Sequence, residues 1–152
     1  MLKEGNAAPQ FSLPTDEGQI VNLKDLKGKK VILYFYPKDN TPGCTLEAQD
    51  FTRLKWEFAK LWIQIIGVSK DSEKSHEKFT TSCNLGIPLI SDEDGKLHDE
   101  YGVMGEKNMY GKKIFGVIRS TFLLDSKGQI LKEWRNVRAT GHAEKILKEL
   151  QK

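Results

Sequence analysis

Cys44 stands where a reactive sulfur would be well placed in an α/β protein. It follows a segment dense in turn-forming residues, KDNTPG at 38–43, which comes after an apolar run closed by Pro37. A helical pattern begins at or just before the cysteine, so its sulfur would lie near free backbone N–H groups and the positive end of a helix dipole. Both features favour the thiolate, the nucleophilic form of cysteine. The position therefore predicts a reactive thiol at the carboxyl end of a buried strand, where open α/β sheets bind ligands.

The same residue also fits a purely structural role. Cys44, Ala48, Phe51 and Phe58 would fall on one face of the helix. Free cysteine is among the most buried residue types, so Cys44 could simply begin this apolar stripe. Local sequence alone leaves both interpretations open.

The chain around Cys44 alternates between strand and helix patterns. The run at 31–36 is continuously apolar or aromatic, as in a strand that is buried on both faces. An N-terminal hairpin with a turn at Gly18 precedes it. After it, we predict a helix over 45–61, a buried strand over 62–69, a helix capped by Asp71 or Ser72 that reaches about Cys83, a short strand at 87–92, an antiparallel hairpin over 120–135 and a last helix from about Thr140.

The order of these elements predicts an α/β fold. A strand, a helix and a strand in succession require a parallel pair with a right-handed crossover, and the later hairpin makes the sheet mixed. A thioredoxin-like fold, with a mixed central sheet flanked by helices and an N-terminal β-hairpin, is the most economical arrangement. The segment from Lys96 to Arg119 lacks clear periodicity, so we expect a long connection that is functional or mobile.

Length and composition restrict the class of protein. With 152 residues, the chain fits a single domain, 1–152. The net charge is +3, from 24 basic and 21 acidic residues, without the concentrated basic patch that is typical of nucleic-acid binding. The longest apolar runs are too short to cross a bilayer, and the N-terminus lacks the pattern of a signal peptide. We therefore expect a cytoplasmic globular protein without nucleic-acid or membrane partners.

Other residue types that can do chemistry are interpreted as structural. Two cysteines in a chain without an export signal argue against a disulfide framework. No metal site is predicted, because the histidines fall in different elements without ligand spacing; they are His76, His98 and His142. His142 is expected at the surface or as a helix cap. The basic residues of the long connection are interpreted as a solvated loop, namely Lys107, Lys112 and Lys113. The tryptophans are expected in or near the core, namely Trp56, Trp62 and Trp134.

The stretch YPKDNTPGCTLEAQDF at 36–51 resembles the peroxidatic motif of the peroxiredoxins, in which Pro, Thr and Cys recur at the spacing of Pro37, Thr41 and Cys44. The similarity continues in order through GVSKDSEKSH, YGVMGEKNMYGKK, RSTFLLDSKGQI and GHAEKIL, so it covers nearly the whole chain. It is similar to the Q subfamily, also called bacterioferritin comigratory proteins or thioredoxin-dependent thiol peroxidases. The resemblance implies a peroxidase of hydrogen peroxide and organic hydroperoxides that thioredoxin or a similar dithiol reduces. No flavin, haem or metal cofactor is implied.

The resemblance also implies a role for each of four residues. Cys44 would attack the O–O bond of the peroxide and become a sulfenic acid. The Thr41 hydroxyl would hydrogen-bond the peroxide and align it, and Pro37 would shield the thiolate from water. Arg119 would stabilise the thiolate and polarise the peroxide, because a cation beside a thiolate favours its charged form. Taken singly, each of the other three residues has a structural explanation. Arg119 could be a charge at a strand end, Thr41 a turn hydroxyl and Pro37 a strand terminator.

The chain departs from many relatives at the residue that would resolve the sulfenic acid. Many members carry a second cysteine five residues after the peroxidatic one, where this chain has Gln49. Other members place the resolving cysteine in the helix that here ends near Cys83, the only other thiol. The resemblance therefore implies that Cys83 resolves Cys44 as an intramolecular disulfide after local unfolding. Packing with Phe79 at i, i+4 is the alternative for Cys83, and it would leave a one-cysteine peroxidase.

Other functions and the oligomeric state stay open on the sequence. A thioredoxin-like disulfide oxidoreductase is disfavoured, because no C-x-x-C pair includes Cys44. A non-enzymatic redox sensor or holdase on the same fold would use oxidation as a switch. Multiple turnovers of peroxide would separate an enzyme from such a sensor. The resemblance favours a monomer, although related peroxiredoxins form dimers through the region near the active site.

Overall fold

The structure, a computed structural model, describes residues 3–16, 18–26 and 28–152. Two small sheets and one central sheet are combined with four α-helices in the described residues. The elements follow in the order β1 (Ser12–Pro14), β2 (Ile20–Asn22), a 3₁₀ helix (Leu23–Leu26), β3 (Lys30–Phe35), α1 (Pro42–Ala59), β4 (Ile63–Ser69), α2 (Glu73–Cys83), β5 (Leu89–Ser91), α3 (Lys96–Glu100), β6 (Met104–Met109), β7 (Lys112–Val117), β8 (Ser120–Leu124), β9 (Ile130–Trp134) and α4 (His142–Gln151).

The central sheet has the strand order β5-β4-β3-β8-β9. Strands β3, β4 and β5 run parallel to one another, whereas β8 is antiparallel to both β3 and β9. The mixed sheet predicted from the βαβ order and the late hairpin is therefore confirmed. The antiparallel pairing of β1 with β2 likewise confirms the N-terminal hairpin. Gly18 has a φ of +79° in its turn, and the neighbouring Glu17 of that turn lies outside the described residues.

Strand β3 lies in the middle of the sheet and is buried on both faces. Its alternate side chains enter two separate hydrophobic clusters, with Ile32 and Tyr34 on one side and Val31, Leu33 and Phe35 on the other. The first cluster also contains the apolar faces of α1 and α4 and Phe79 of α2. The second contains residues of α3, β8 and the N-terminal segment. Helices on both faces of the sheet explain why the β3 sequence is continuously apolar.

The expectation of a long connection between Lys96 and Arg119 is wrong. This segment forms α3 and the β6–β7 hairpin, whose strands pair in register from Met104↔Val117 to Met109↔Lys112. The hairpin leaves large side chains in solvent, including Tyr110 and Phe115. A two-stranded sheet that buries neither face fully has no reason to alternate polar and apolar residues, which is why its sequence lacked periodicity.

Two of the three tryptophans are not in the core. Trp56 lies on the outer face of α1 with 69% of its surface exposed, and Lys55 places its ammonium 4.9 Å from the centre of the indole ring. Trp62 is 72% exposed and follows the end of α1 with a φ of +63°. Only Trp134 is partly buried, and its Nε1 donates to Glu149 at 3.0 Å.

Among the described residues, no helix is long and apolar enough to cross a membrane.

Candidate active site

Cys44 lies in the first turn of α1, directly beyond the carboxyl end of β3. Thr41 is the N-cap with an extended backbone, and Pro42 occupies the first helical position, where the missing N–H costs nothing. The side chain of Cys44 is only 1% exposed and packs in the same cluster as Ala48 and Phe51. The predicted apolar stripe of α1 is therefore present, and Cys44 is its first member.

Burial does not isolate the sulfur from polar groups. Arg119, immediately before β8, donates from Nη2 to Cys44 Sγ at 3.4 Å. Strand β8 pairs with β3, and this pairing brings Arg119 beside a cysteine 75 positions earlier in the chain. The backbone of Arg119 is itself held, since its carbonyl accepts from the amide of Val137 at 3.0 Å. A fixed cation thus faces the sulfur, which is the arrangement that favours a thiolate.

Glu47 completes this cluster and was missed by the sequence analysis. It follows Cys44 by three residues, so both side chains share one face of α1. Glu47 Oε1 accepts from Arg119 Nη1 at 2.5 Å, and the Glu47 side chain is fully buried. An acidic residue on the apolar face of an amphipathic helix was the signal that could have found it.

The charges of this cluster are strongly coupled. Burial raises the pKa of Glu47 to about 7, although the Arg119 guanidinium acts in the opposite direction. Burial acts to lower the pKa of Arg119, but the charges of Glu47 and Cys44 outweigh it and raise that pKa above its ordinary value. Arg119 therefore remains a cation. Among the described residues, Glu47 Oε2 has no hydrogen-bond partner.

Gly43 leaves the space that the guanidinium occupies. A Cβ atom at this position would lie 3.3 Å from Arg119 Nη2 and 3.6 Å from the Cβ of Ala139. The first distance is tighter than ordinary van der Waals contact. The absence of a side chain at residue 43 therefore allows Arg119 to approach the start of α1 closely.

Pro37 and Thr41 bound the loop that connects β3 to α1. Pro37 is half-buried and follows the buried Tyr36. The Thr41 hydroxyl donates to the carbonyl of Lys38 at 2.8 Å, inside the same loop. The structure thus brings Cys44 and Arg119 into direct contact and places Thr41 at the N-cap of the helix that carries the sulfur.

Cys83 is the last residue of α2 and forms no disulfide with Cys44. It is half-buried and packs against the cluster that also contains Cys44. Both thiols are free. The helix ends at Asn84, whose φ of +52° is the left-handed conformation common at helix C-termini. Ser72 caps the other end by accepting from the amide of Ser75 at 3.1 Å, as one of the two predicted caps.

His142 is buried, so the expectation of a surface or capping residue is wrong. Its Nε2 lies 2.8 Å from Thr121 Oγ1, and only 4% of the residue is exposed. Burial lowers its pKa to about 4, with further contributions from Arg119 and Lys145.

In the part of the chain that the structure describes, no three His, Cys, Asp or Glu side chains are grouped so as to hold a metal ion.

The basic residues of the predicted solvated loop lie on the β6–β7 hairpin, and one of them belongs to this region. Lys107 is half-buried and donates from Nζ to the carbonyl of Val117 at 3.0 Å. Burial lowers its pKa, the charge of Arg119 lowers it further, and the charge of Cys44 opposes both. Lys112 and Lys113 are exposed, as a solvated segment requires.

Comparison with known proteins identifies the family of this chain. The model of the AhpC/TSA family matches residues 5–133. A relative from Helicobacter pylori is 49% identical over 98% of each chain, and peroxiredoxin Bcp of Bacillus subtilis is 46% identical over 99% of this chain and 96% of its own. The solved structure of peroxiredoxin Q from Xanthomonas campestris has a TM-score of 0.87 at 45% identity and covers 93% of this chain and 90% of its own.

A second solved structure confirms the fold class. PrxQ of Xylella fastidiosa is 35% identical, with a TM-score of 0.93 over 99% of this chain and 96% of its own. The thioredoxin-like fold and the peroxiredoxin resemblance inferred from sequence are therefore both correct. The chain belongs to the AhpC/TSA family, as a thiol peroxidase of the peroxiredoxin Q (Bcp) type.

Proposed function

We propose that this peroxidase reduces hydrogen peroxide and organic hydroperoxides through the sulfur of Cys44. The contact of 3.4 Å between Arg119 Nη2 and Cys44 Sγ carries this assignment, because it pairs a buried sulfur with a partly buried cation. The bacterioferritin comigratory protein of Xanthomonas campestris, 44% identical to this chain, has been described with alkyl peroxide reduction activity. That activity supports the inclusion of organic hydroperoxides.

The first chemical step is a displacement at the O–O bond. The Cys44 thiolate attacks one peroxide oxygen and forms an S–O bond, while the O–O bond breaks and the other oxygen leaves as hydroxide or alkoxide. The leaving oxygen takes up a proton, which yields water or an alcohol. Cys44 is then a sulfenic acid, oxidised by two electrons. The Arg119 guanidinium stabilises the attacking sulfur before the reaction and the developing anion during it.

The loop before α1 would orient the peroxide. Thr41 lies one helical turn before Cys44, and its hydroxyl oxygen can accept a hydrogen bond from the peroxide while it donates to Lys38. Pro37 has no N–H and is half-buried after the end of β3, and we propose that it limits the access of water to the sulfur. We assign alignment to Thr41 and shielding to Pro37.

Resolution by Cys83 is the second part of the proposal. The Cys83 thiol attacks the Cys44 sulfenic sulfur, a disulfide forms and water leaves. Thioredoxin or a similar dithiol then reduces the disulfide. Both cysteines are free and lie in separate helices, so we expect local unfolding around Cys44, Cys83 or both before the sulfurs meet.

The partly buried packing of Cys83 favours a second candidate, a one-cysteine peroxidase. In that mechanism an external thiol reduces the sulfenic acid directly, and Cys83 has only a packing role. We place the enzyme in the reducing cytoplasm, because a thiol cycle of this kind needs a pool of reduced dithiol. On the resemblance to the Q subfamily, we propose that it acts as a single-domain monomer.

The experiment that decides between these mechanisms is an intact-mass measurement after one equivalent of hydrogen peroxide, without added thiol. A loss of two hydrogens, with Cys44 linked to Cys83 in the peptide map, is the expected result. A gain of oxygen on Cys44 with a free Cys83 would instead establish the one-cysteine cycle. Cys44→Ser should abolish peroxide turnover, and full activity in that variant would overturn the assignment of the peroxidatic residue.

A further inference from the structure

Two neighbouring residues of the loop between β3 and α1 contact both ends of α2. Asp39 accepts hydrogen bonds from Ser75 Oγ at 2.8 Å and from His76 Nδ1 at 2.7 Å, both in the first turns of that helix. At its other end, Ser82 Oγ lies 3.4 Å from Asn40 Oδ1. The next residue after Ser82 is the second cysteine. The loop that leads to Cys44 therefore contacts, near both of its ends, the helix that ends in Cys83.

The Asp39 side chain is held from several directions. It is buried, and besides α2 it contacts Tyr36, whose hydroxyl donates to Asp39 Oδ1 at 2.6 Å. Its backbone amide donates to Asp71 Oδ2 at 2.8 Å, and that oxygen also accepts from the hydroxyl of Ser69. Residues at the ends of β3 and β4 and in α2 thus converge on this one loop residue, which leaves it a single orientation.

The partner His76 is charged by the same geometry. Its Nδ1 faces the Asp39 carboxylate and its Nε2 lies 3.0 Å from the carbonyl oxygen of Ile90. Both oxygens accept when Asp39 is ionised, so this geometry favours a proton on each ring nitrogen, which makes the ring an imidazolium. Burial acts to lower the pKa of His76, but the charge and hydrogen bond of Asp39 outweigh it and raise that pKa above its ordinary value. When His76 is protonated, the two side chains form a fully buried ion pair.

We propose that Asp39 is a positioning residue for the peroxidatic site, and that the Asp39–His76 pair is the joint that must open before Cys83 can reach Cys44. Asp39 lies midway between Pro37 and Thr41, so the closed joint fixes the loop that carries both residues. The second part rests on the proposed resolution by Cys83. A disulfide needs Cα atoms within about 7 Å, and the hydrogen bonds from both ends of α2 to the loop oppose a movement of α2 towards Cys44.

The joint would therefore set the competition between two reactions of the Cys44 sulfenic acid. In one, the Cys83 thiol displaces water and the disulfide forms. In the other, a second hydrogen peroxide transfers an oxygen, which gives the sulfinic acid and water. A closed joint delays the first reaction and leaves time for the second. A weakened joint should favour the disulfide, at the expense of the reaction of Cys44 with the first peroxide.

Asp39→Asn and His76→Gln test this from the two sides of the pair. Each variant is treated with increasing hydrogen peroxide, and the ratio of disulfide to sulfinic acid is read by intact mass. The peroxide concentration that gives equal amounts should rise about tenfold, as expected for the loss of one buried charged hydrogen bond. The second-order rate constant of Cys44 oxidation, measured in a Cys83→Ser background, should fall severalfold. The double variant should resemble Asp39→Asn, because the loss of Asp39 already removes the interaction that His76→Gln removes.

His98→Gln is the matched control. His98 forms an equally buried pair with Asp92, with 2.6 Å between Nδ1 and Oδ2, but it lies in α3 on the other face of the sheet. General loss of stability would shift the ratio in all three variants. An equal shift of this ratio in the His98 variant, or no shift in the Asp39 and His76 variants, would overturn the proposed role of the Asp39–His76 pair.

The wild-type protein separates this proposal from the function on which it rests. If it forms no Cys44–Cys83 disulfide, resolution by Cys83 fails, and the gating part of the joint fails with it. The positioning part is then decided by the rate of Cys44 oxidation alone. An unchanged rate in both the Asp39 and His76 variants would overturn that part as well.

Discussion

Cys44 and Glu47 lie three residues apart on one buried face of α1 and share the guanidinium of Arg119. One nitrogen of that group donates to the sulfur and another to the carboxylate. The acid thus fixes the cation that faces the nucleophile, and neither side chain reaches solvent freely. Four tests follow from this geometry and from the charges around it.

Replacement of Arg119 should slow the reaction with peroxide without preventing folding. Arg119→Ala removes a fixed donor from the sulfur, and loss of one such donor reduces a rate by about 10²-fold. Arg119→Lys keeps the charge but cannot donate to two groups in a fork, so its rate should be intermediate. Rapid quenching with a thiol-blocking reagent and mass spectrometry would give the rate of Cys44 oxidation. A wild-type rate in Arg119→Ala would show that the contact does not assist the sulfur.

Glu47 should make the stability of the protein fall as the pH rises towards neutrality. Burial raises its pKa to about 7 in the folded state, above the ordinary value near 4.5, so between these values the folded protein binds more protons than the unfolded chain. Its stabilising contribution is present below about pH 4.5 and is lost as the pH rises through about 7. Glu47→Gln should remove this contribution of about 3 kcal/mol, so that the stability of the variant relative to the wild type increases as the pH rises from 4.5 to 7.

Urea unfolding of both proteins between pH 4 and 8 would measure the difference. Gln49→Ala, on the exposed side of the same helix, is the control and should keep the wild-type slope. Identical pH profiles for wild type and Glu47→Gln would mean that the buried acid is not perturbed by its surroundings.

Gly43→Ala should separate stability from activity. Residue 43 is in the first turn of α1, where alanine is a better helix former than glycine by up to about 1 kcal/mol. The new Cβ would lie 3.3 Å from Arg119 Nη2, so the guanidinium must shift away from the sulfur. We expect unchanged or higher stability with a severalfold lower rate of Cys44 oxidation. Loss of stability and rate in equal measure would point to disruption of the helix instead.

His142 should make the protein sensitive to mild acid. Its pKa is lowered to about 4 in the folded state, mainly by burial, whereas it is near 6.5 in the unfolded chain. Below pH 6.5 the unfolded chain therefore binds more protons, and stability falls as the pH drops towards 4, by up to about 3 kcal/mol.

His142→Gln removes the titrating ring and keeps an amide that can bond the hydroxyl of Thr121. In thermal unfolding experiments, the stability of the variant relative to the wild type should increase as the pH falls from 7 to 4. A difference between variant and wild type that does not change with pH would contradict this prediction.

Sequence patterns were sufficient for most of the fold, because the elements of the central sheet are long or strongly apolar. Strand β3 is apolar throughout and α1 is amphipathic, so the apolar pattern of each element predicts which of its faces are buried. The β6–β7 hairpin and the exposed Trp56 and Trp62 were misread for the opposite reason. The hairpin was predicted as a loop and the two tryptophans as core residues. Both predictions depended on solvent exposure, which is set by the elements that pack against a residue and not by its local sequence.

The sequence by itself determined that Cys44 lies at the start of a helix after a buried strand, and the motif around it identified the chemistry. The tertiary structure alone decided that Arg119 contacts this sulfur, because only the pairing of β3 with β8 brings these distant residues together. It also decided that Glu47 is buried beside them and that Asp39 bonds α2. Helical and strand periodicities describe neighbours a few residues apart, whereas a site made of buried charges depends on contacts between elements.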